Sequence, residues 1–370
     1  MKFSVDNREL ADDLALTSRS ASSGGGNPIL SGILITLEGG LVSFSATDGN
    51  RSIRVPVHLD GEPEGEGKAL VPARVLSDIS RLLGSGSTSI EYRSSERDLE
   101  LNSGNSNFHI KTMAMEDFPP LPRPEGEKVP ISREALLETV ELVARAASRD
   151  DMRPVLTSVQ MIVKGDELTM VATDSYRLAV KQTELSTPVQ AEIDRNIPAE
   201  ALKELARLMG NSESEMVNLT LTDREVIFEL DEIALSTTIV DGQFPNYQQL
   251  FPTEYEHDVR VPRSELLDSV KRVSQMAQKN RPLKLHFEPG ELTISAETPD
   301  LGDAREKMPV NFDGEPMAIG FNHEYFQDGL DSIAGEEVLL RLISSLRPGL
   351  IQPVDSDSYR YLLMPIRLDD

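Results

Sequence analysis

The chain of 370 residues contains no cysteine, which excludes disulfide bridges and thiolate metal sites. No run approaches the roughly 18 consecutive apolar residues that cross a bilayer, and the first ten residues lack the apolar centre of a secretion signal. A cytoplasmic protein without a membrane partner is the simplest expectation. Positive charge is scarce: 37 lysines and arginines stand against 62 aspartates and glutamates, for a net charge of -25. An exterior that acidic serves solubility but repels phosphates, so any role on nucleic acid must rest on local basic stripes. Histidine is thin as well. The five, at positions 58, 109, 257, 286 and 323, are scattered and share no metal-ligand spacing.

Other enzyme signals fail one by one. Gly65-Glu-Gly-Lys68 is followed by Ala69 where a phosphate loop needs serine or threonine, and its glycine spacing is wrong. Gly84-Ser-Gly-Ser87 lacks the closing glycine of a nucleophile elbow and reads as a helix stop and turn. Asp355-Ser-Asp357 suits a solvated loop better than a hard-cation site. No catalytic constellation, metal or cofactor is expected.

What the sequence does have is repetition. Pro28-Ile-Leu30 returns as Pro154-Val-Leu156, and the Ala-Thr-Asp ending at Asp48 returns at Asp174. Val71-Pro-Ala73 returns as Ile197-Pro-Ala199, and Phe118-Pro119 as Phe244-Pro245. All four marks are displaced by 126 residues. A third, more divergent copy is marked by Pro282-Leu-Lys284 and Glu291-Leu-Thr-Ile-Ser-Ala-Glu297. Such a period means tandem modules, here expected at 1–125, 126–254 and 255–370.

Each copy reads as two halves of strand, helix and three strands. In the first, Asn7 is the expected cap of a helix over 8–19, with Leu10, Leu14 and Thr17 on one face. A second helix is expected over 72–83, with Pro72 in its first turn and Gly84 just past its end. The other helices are expected over 132–147, 199–209, 262–278 and 323–333. Short proline-rich or acidic joints such as Phe118-Pro-Pro-Leu-Pro-Arg-Pro124 hold the copies in fixed relation. Tandem sheets can pair edge to edge, and two chains meeting head to tail would cover the terminal edges.

The stretches Ala172-Thr-Asp-Ser-Tyr-Arg-Leu-Ala-Val180, Val240-Asp-Gly-Gln-Phe-Pro-Asn-Tyr247 and Tyr361-Leu-Leu-Met-Pro-Ile-Arg-Leu368 resemble the beta subunit of bacterial DNA polymerase III, the sliding clamp family. The opening Met1-Lys-Phe-Ser-Val5 and Asn27-Pro-Ile-Leu-Ser-Gly32 fit it too, and the resemblance runs from the first residue to Leu368. It implies an α+β fold of three tandem DNA-clamp domains, each with two helices backed by antiparallel sheets. It implies closure into a ring as a head-to-tail homodimer around double-stranded DNA. It also implies a non-catalytic, nucleoid-associated processivity factor. Partners would be the replicative polymerase alpha subunit, the clamp loader, translesion polymerases, ligase and mismatch-repair proteins, all docking through short peptides.

Carried over position by position, the peptide pocket falls on Leu156, Thr173, Ser175, Tyr176, Arg177, Leu178, Pro245, Gln249 and Leu250. The last strand adds Leu362, Leu363, Met364, Pro365, Ile366 and Arg367. Aliphatic walls and an adaptable methionine suit leucine or phenylalanine anchors. Tyr176 and Gln249 stand where some relatives have histidine and arginine. DNA-facing cations are expected at Arg19, Arg74, Arg81, Arg145, Arg149, Arg153, Lys203, Arg207, Lys271 and Arg272, with Arg8 and Lys279 beside them. Contacts of this kind to phosphate carry no sequence information, which suits sliding. The alternative for each is an ordinary charge on a solvated helix. The loop around Gly24 lacks an arginine that some relatives have there, and the next copy's loop carries Asp150 and Asp151. The dimer edge is expected at Phe108 and Ile110 in the first domain and Gln275 and Met276 in the third. Two other classes stand beside this reading: an enzyme with an unrecognised site, and a peptide-binding repeat scaffold that never encircles DNA. Retention on circular but not linear DNA separates the clamp from the scaffold.

Overall fold

The structure, a computed structural model, describes residues 1–22, 27–277 and 281–368. Gly24, Lys279 and the end of the helix expected to reach Gln278 lie outside these residues. Six α-helices are described: α1 (Asn7–Ser18), α2 (Ala73–Ser80), α3 (Arg133–Val143), α4 (Ala199–Gly210), α5 (Arg263–Val273) and α6 (His323–Asp331). Four are shorter than the apolar spacing suggests, α6 by its last two residues. Pro72 serves as the N-cap of α2, with Arg81 as its C-cap, and α3 and α5 tighten into single turns of 3-10 helix at Ala144–Ala146 and Ser274–Met276.

The cap of α1 corrects the sequence reading. Asp6, not Asn7, caps the helix: its carboxylate accepts from the backbone N–H of Arg8 and Glu9 at 2.8 and 3.3 Å. Asn7 is buried instead, and its amide donates to the Gly84 carbonyl and the Ser103 hydroxyl. It ties the start of one half of the copy to the end of the other. The expected apolar face is present, with Leu10, Leu14 and Thr17 buried. Each fully buried leucine there contributes about 1.5–3 kcal/mol.

The strands make four antiparallel sheets, and the chain divides into two compact units, residues 1–133 with 207–239 and residues 134–206 with 240–370. The first unit holds a four-stranded sheet running Lys2–Asp6, Ser87–Arg93, Asp98–Ser103 and Ser106–Lys111. It also holds an eight-stranded sheet in which Gly67–Pro72, Gly32–Glu38, Leu41–Thr47 and Arg51–Val57 continue into Ile233–Thr238, Glu225–Leu230, Met216–Leu221 and Lys128–Ser132. The second unit holds a six-stranded sheet, Ser158–Thr173, Arg177–Pro198, Tyr359–Leu363, Gly349–Pro353, Glu337–Leu342 and His257–Pro262. Its four-stranded sheet runs Gly302–Pro309, Glu291–Thr298, Leu283–Glu288 and Met317–Phe321.

Two regularities organise these sheets. The first is an exchange of leading strands between the halves of each copy. Lys2–Asp6 leads into α1 but pairs with Ser87–Arg93 of the other half, while Gly67–Pro72 leads into α2 but pairs back with Gly32–Glu38. The second copy repeats this, Lys128–Ser132 pairing with Met216–Leu221 and the end of Arg177–Pro198 with the start of Ser158–Thr173. The third repeats it again, with His257–Pro262 on Glu337–Leu342 and Met317–Phe321 on Leu283–Glu288.

The second regularity is a joint of constant register. In the first unit Arg51–Val57 pairs with Ile233–Thr238, Arg54 standing opposite Ala234. In the second unit Arg177–Pro198 pairs with Tyr359–Leu363, Val180 standing opposite Arg360. Positions 180 and 360 each lie 126 beyond 54 and 234, so one joint is the copy of the other.

Candidate functional site

The expected pocket residues gather within the second unit around one turn. At Thr173–Arg177 the chain reverses between two strands. The Asp174 carboxylate accepts from the backbone N–H of Tyr176 and Arg177, both at 2.9 Å. The Thr173 hydroxyl donates to the Arg177 carbonyl at 2.6 Å and accepts from Ser175 N–H at 3.1 Å. The first copy builds the same turn from Thr47, Asp48 and Arg51. There Gly49 supplies the left-handed residue, at φ 99°; here Ser175 takes that conformation at φ 79°, which strains a residue with a Cβ. The strained turn thrusts Tyr176 outward at 61% exposure, and Ser175 accepts a hydrogen bond from Arg153 at 2.9 Å.

Below the turn lies an apolar floor of Val171, Leu178, Val180, Leu350 and Leu362, closed by Phe244 with Val155, Tyr247 and Phe251 half-buried against it. Leu178 and Leu362 are 2% exposed, so they act as floor rather than rim. Leu250 and Met364, at 47% and 44% exposure, supply the open apolar surface above it. Pro245 and Gln249 are exposed and Leu156 is half-buried nearby in sequence to Val155. The chain's end is strapped across this region: Met364 N–H donates to the Tyr176 carbonyl at 2.8 Å, and Ile366 N–H to the Gly320 carbonyl at 2.7 Å. A Cβ on Gly320 would lie 2.8 Å from the Ile366 carbonyl oxygen, so that glycine is what lets the strap lie close. Pro365 is half-buried along the strap, Arg367 is exposed, and Leu363 is buried.

Arg177 occupies a place the sequence reading did not foresee. Its side chain is 9% exposed and points inward. It pairs with Asp174 at 3.1 Å and with Asp328, and donates to the Arg145 carbonyl at 2.7 Å. It also stacks 4.2 Å over the Tyr325 ring and donates to the Tyr361 hydroxyl. Arg177 is therefore the brace that fixes the turn under Tyr176. Its partners Asp174, Tyr325, Asp328 and Tyr361 were missed; only Asp174 had a visible signal, the repeated Ala-Thr-Asp.

The expected DNA-facing cations fall into two groups. Arg74, Arg81 and Arg149 project into solvent, Arg74 with only a loose 3.7 Å contact to Asp78. Arg19 and Arg207 are also exposed. Five others are tethered to named partners. Arg145 donates to the Glu141 and Asp328 carbonyls, Arg153 pairs with Asp150, Lys203 with Glu200 and Lys271 with Asp331. Arg272 makes two 2.7 Å bonds to Glu306 on the strand Gly302–Pro309, and that carboxyl is held below its usual range by them.

At the expected dimer edge, Ser106–Lys111 and Gly302–Pro309 are each the last strand of their sheet. Phe108 is half-buried on that edge. Ile110 is 6% exposed and belongs to the first unit's own core, and Phe108, two residues away on the same strand face, packs against that core too. Gln275 is exposed and Met276 half-buried in the 3-10 turn after α5, where the Met276 carbonyl accepts from Thr298. Among the described residues, no cluster of acids and histidines could hold a metal, and no helix is long and apolar enough to cross a membrane.

Comparison with known proteins is consistent from end to end. Models of the N-terminal, central and C-terminal domains of the DNA polymerase III beta subunit match residues 1–122, 130–246 and 248–367. The beta sliding clamp of Streptomyces coelicolor is 32% identical over 379 residues, covering all of both chains. The crystal structure of the Bacillus subtilis sliding clamp superimposes with a TM-score of 0.93 at 27% identity, again over all of both chains. A Pseudomonas aeruginosa clamp crystallised with griselimycin gives 0.91 at 28% identity. With three domain models in order along nearly its whole length, the chain belongs to the DNA polymerase III beta subunit family, the non-catalytic sliding clamps of bacterial replication.

Proposed function

We propose that this chain is a DNA sliding clamp, a cytoplasmic, nucleoid-associated processivity subunit. Two copies close head to tail around duplex DNA and hold polymerases there. Its domains divide near 125/126 and 254/255. The observation that carries the reading is the joint of constant register. Arg51–Val57 and Arg177–Pro198 each have a partner strand, whereas Gly302–Pro309, their third-copy counterpart, has none on its outer edge among the described residues. The counterpart of the two partner strands, Ser106–Lys111, is equally open. Bare strand edges favour pairing. Since Arg54 opposes Ser45 and Val180 opposes Val171, the third equivalent is Arg305, opposite Ser295. Phe108 holds the ladder position of Leu235 and Tyr361, so the same rule puts Arg305 opposite Asn107, and Ala304 opposite Phe108, of a second copy.

Encirclement reconciles an acidic chain with DNA. A closed ring is retained by topology, so the exposed cations need supply only weak, register-free attraction. Light scattering should give a dimer at micromolar concentration, and the protein once loaded should stay on circular DNA but run off linear DNA. A monomer, or equal loss from both templates, refutes the ring and leaves the scaffold reading. Reversing Lys203 and Arg207 together to glutamate should reduce loading about tenfold or more at low salt without altering the fold. Loading equal to the wild type would argue against a basic lining.

The pocket around Tyr176, Leu250 and Met364 is the dock for the polymerase alpha subunit, clamp loader, translesion polymerases, ligase and mismatch-repair proteins. Each would insert a leucine- or phenylalanine-anchored segment over the apolar floor. Ending the chain after Leu363 removes the strap and one wall. Binding of a glutamine- and leucine-containing polymerase peptide should then be abolished while the dimer persists. Unchanged peptide affinity would refute the assignment.

A further inference from the structure

The first unit contains a groove for which the clamp reading has no use. It lies on the face of Gly32–Glu38, Leu41–Thr47 and Arg51–Val57, beneath residues 115–123, and has a volume of about 990 Å³. Leu34, Val42, Val57, Phe118 and Leu121 give it apolar walls, and Leu41 and Met115 stand exposed at its rim. Arg54 and Arg123 also line it. Neither guanidinium has an ion pair or hydrogen bond among the described residues. Burial first, and then the nearby charge of Arg123, push Arg54 below its ordinary value, with Glu38 offsetting this in part.

The groove is the counterpart, one period earlier, of the pocket floor in the second unit. Phe118 and Leu121 stand 126 residues before Phe244 and Tyr247, which close over Val171 and Val180. The equivalent pair beneath Phe118 is Ser45 and Arg54, which oppose each other across the same ladder position. A hydroxyl and a guanidinium cannot close an apolar cluster, so the space stays open. Position 123, equivalent to Gln249, is a second arginine. One copy of the fold thus has an apolar floor at this place, and the other a charged one.

We propose that this groove is a second peptide-docking site, selective for acidic segments in which a carboxylate sits beside a leucine or phenylalanine. The apolar walls and the volume call for side chains as well as charge, which an inorganic anion lacks. Glu38 and Glu232 at the groove break any continuous basic track, which disfavours nucleic acid. A peptide carboxylate between Arg54 and Arg123 would relieve their mutual repulsion and make charge-assisted bonds in a half-desolvated place. The site is independent of the pocket in the second unit, and its test does not depend on ring closure.

The test uses the full chain, with the second unit's pocket saturated by an unlabelled glutamine- and leucine-containing polymerase peptide, and a fluorescein-labelled peptide, acetyl-Glu-Asp-Leu-Asp-Leu-Phe-amide, followed by fluorescence polarisation. Binding should be saturable and should weaken roughly tenfold when Asp and Glu of the probe become Asn and Gln. Arg54→Val and Arg123→Gln, which install the residues of the second copy, should each weaken it by a similar factor. Hydrogen exchange should show peptide protection at Arg51–Val57 and residues 115–123, not at Tyr359–Leu363. Arg123 is exposed, so Arg123→Gln reports on binding even if Arg54→Val disturbs the fold. Absence of saturable binding, equal affinity for the neutral probe, indifference to Arg123→Gln, or protection confined to Tyr359–Leu363 would each overturn the proposal.

Discussion

Replacing Arg177 by methionine is expected to destabilise the second unit by about 3–5 kcal/mol, the range for breaking a buried ion pair from one side. Asp174 would be left almost wholly buried with its charge uncompensated, since its side chain is 10% exposed. The Arg145 carbonyl and the Tyr361 hydroxyl would lose a donor at the same time. For a unit of this size the midpoint of thermal unfolding should fall by roughly 10 °C. Arg177→Lys keeps the charge but not the planar fork or the stacking on Tyr325, so its loss should be intermediate. Polymerase-peptide affinity should fall with both variants, because the turn that presents Tyr176 loses its brace. A methionine variant melting within about 2 °C of the wild type would show that the cluster is not a brace.

Replacing Phe108 by arginine is expected to turn the dimer into monomers at micromolar concentration. The register of the two internal joints sets Ala304 of a second copy opposite residue 108, at the position that Leu235 and Tyr361 bury in those joints, and a charge buried there without a partner is costly. Loss of a partly buried phenylalanine adds about 1.5–3 kcal/mol at full burial. A head-to-tail pair contains the contact twice, so dissociation should strengthen by about a hundredfold or more. The decisive measurement is the double variant: Ala304→Glu added to Phe108→Arg should restore the dimer in sedimentation or light scattering. A double variant that stays monomeric would show that the register, and with it the repeat argument, is wrong.

Much of this architecture was legible in the sequence because turns and helix starts are written in few residues. The repeated Pro, Thr-Asp and Phe-Pro marks are turn and cap chemistry, and they persist where core residues drift. The alternation and helical spacing placed all six helices. Less legible was anything depending on which strand pairs with which. Nothing local in Lys2–Asp6 says that it belongs beside Ser87–Arg93 rather than beside the strand after its own helix. The inward turn of Arg177 was hidden because its acid partner Asp328 lies far along the chain. Ile110 looked like an edge residue because its strand is at an edge, although its side chain serves the core. Ser45 and Arg54 read as an ordinary alternating strand until Val171 and Val180 were seen at the same ladder position.

The exchange of leading strands bears on how the chain is made. On a ribosome, Lys2–Asp6 emerges well before Ser87–Arg93 and lacks that partner strand until Arg93 has followed it. At about 5–20 residues per second, that is a wait of roughly 4–17 s with that strand edge unpaired. Lys128–Ser132 then waits for Met216–Leu221, and His257–Pro262 for Glu337–Leu342. No half of a copy can finish folding alone, so a nascent chain stalled inside any copy carries a bare edge ready to pair with a neighbouring nascent chain. The protein should be most vulnerable to aggregation three times during its synthesis, each time just before the second half of a copy arrives.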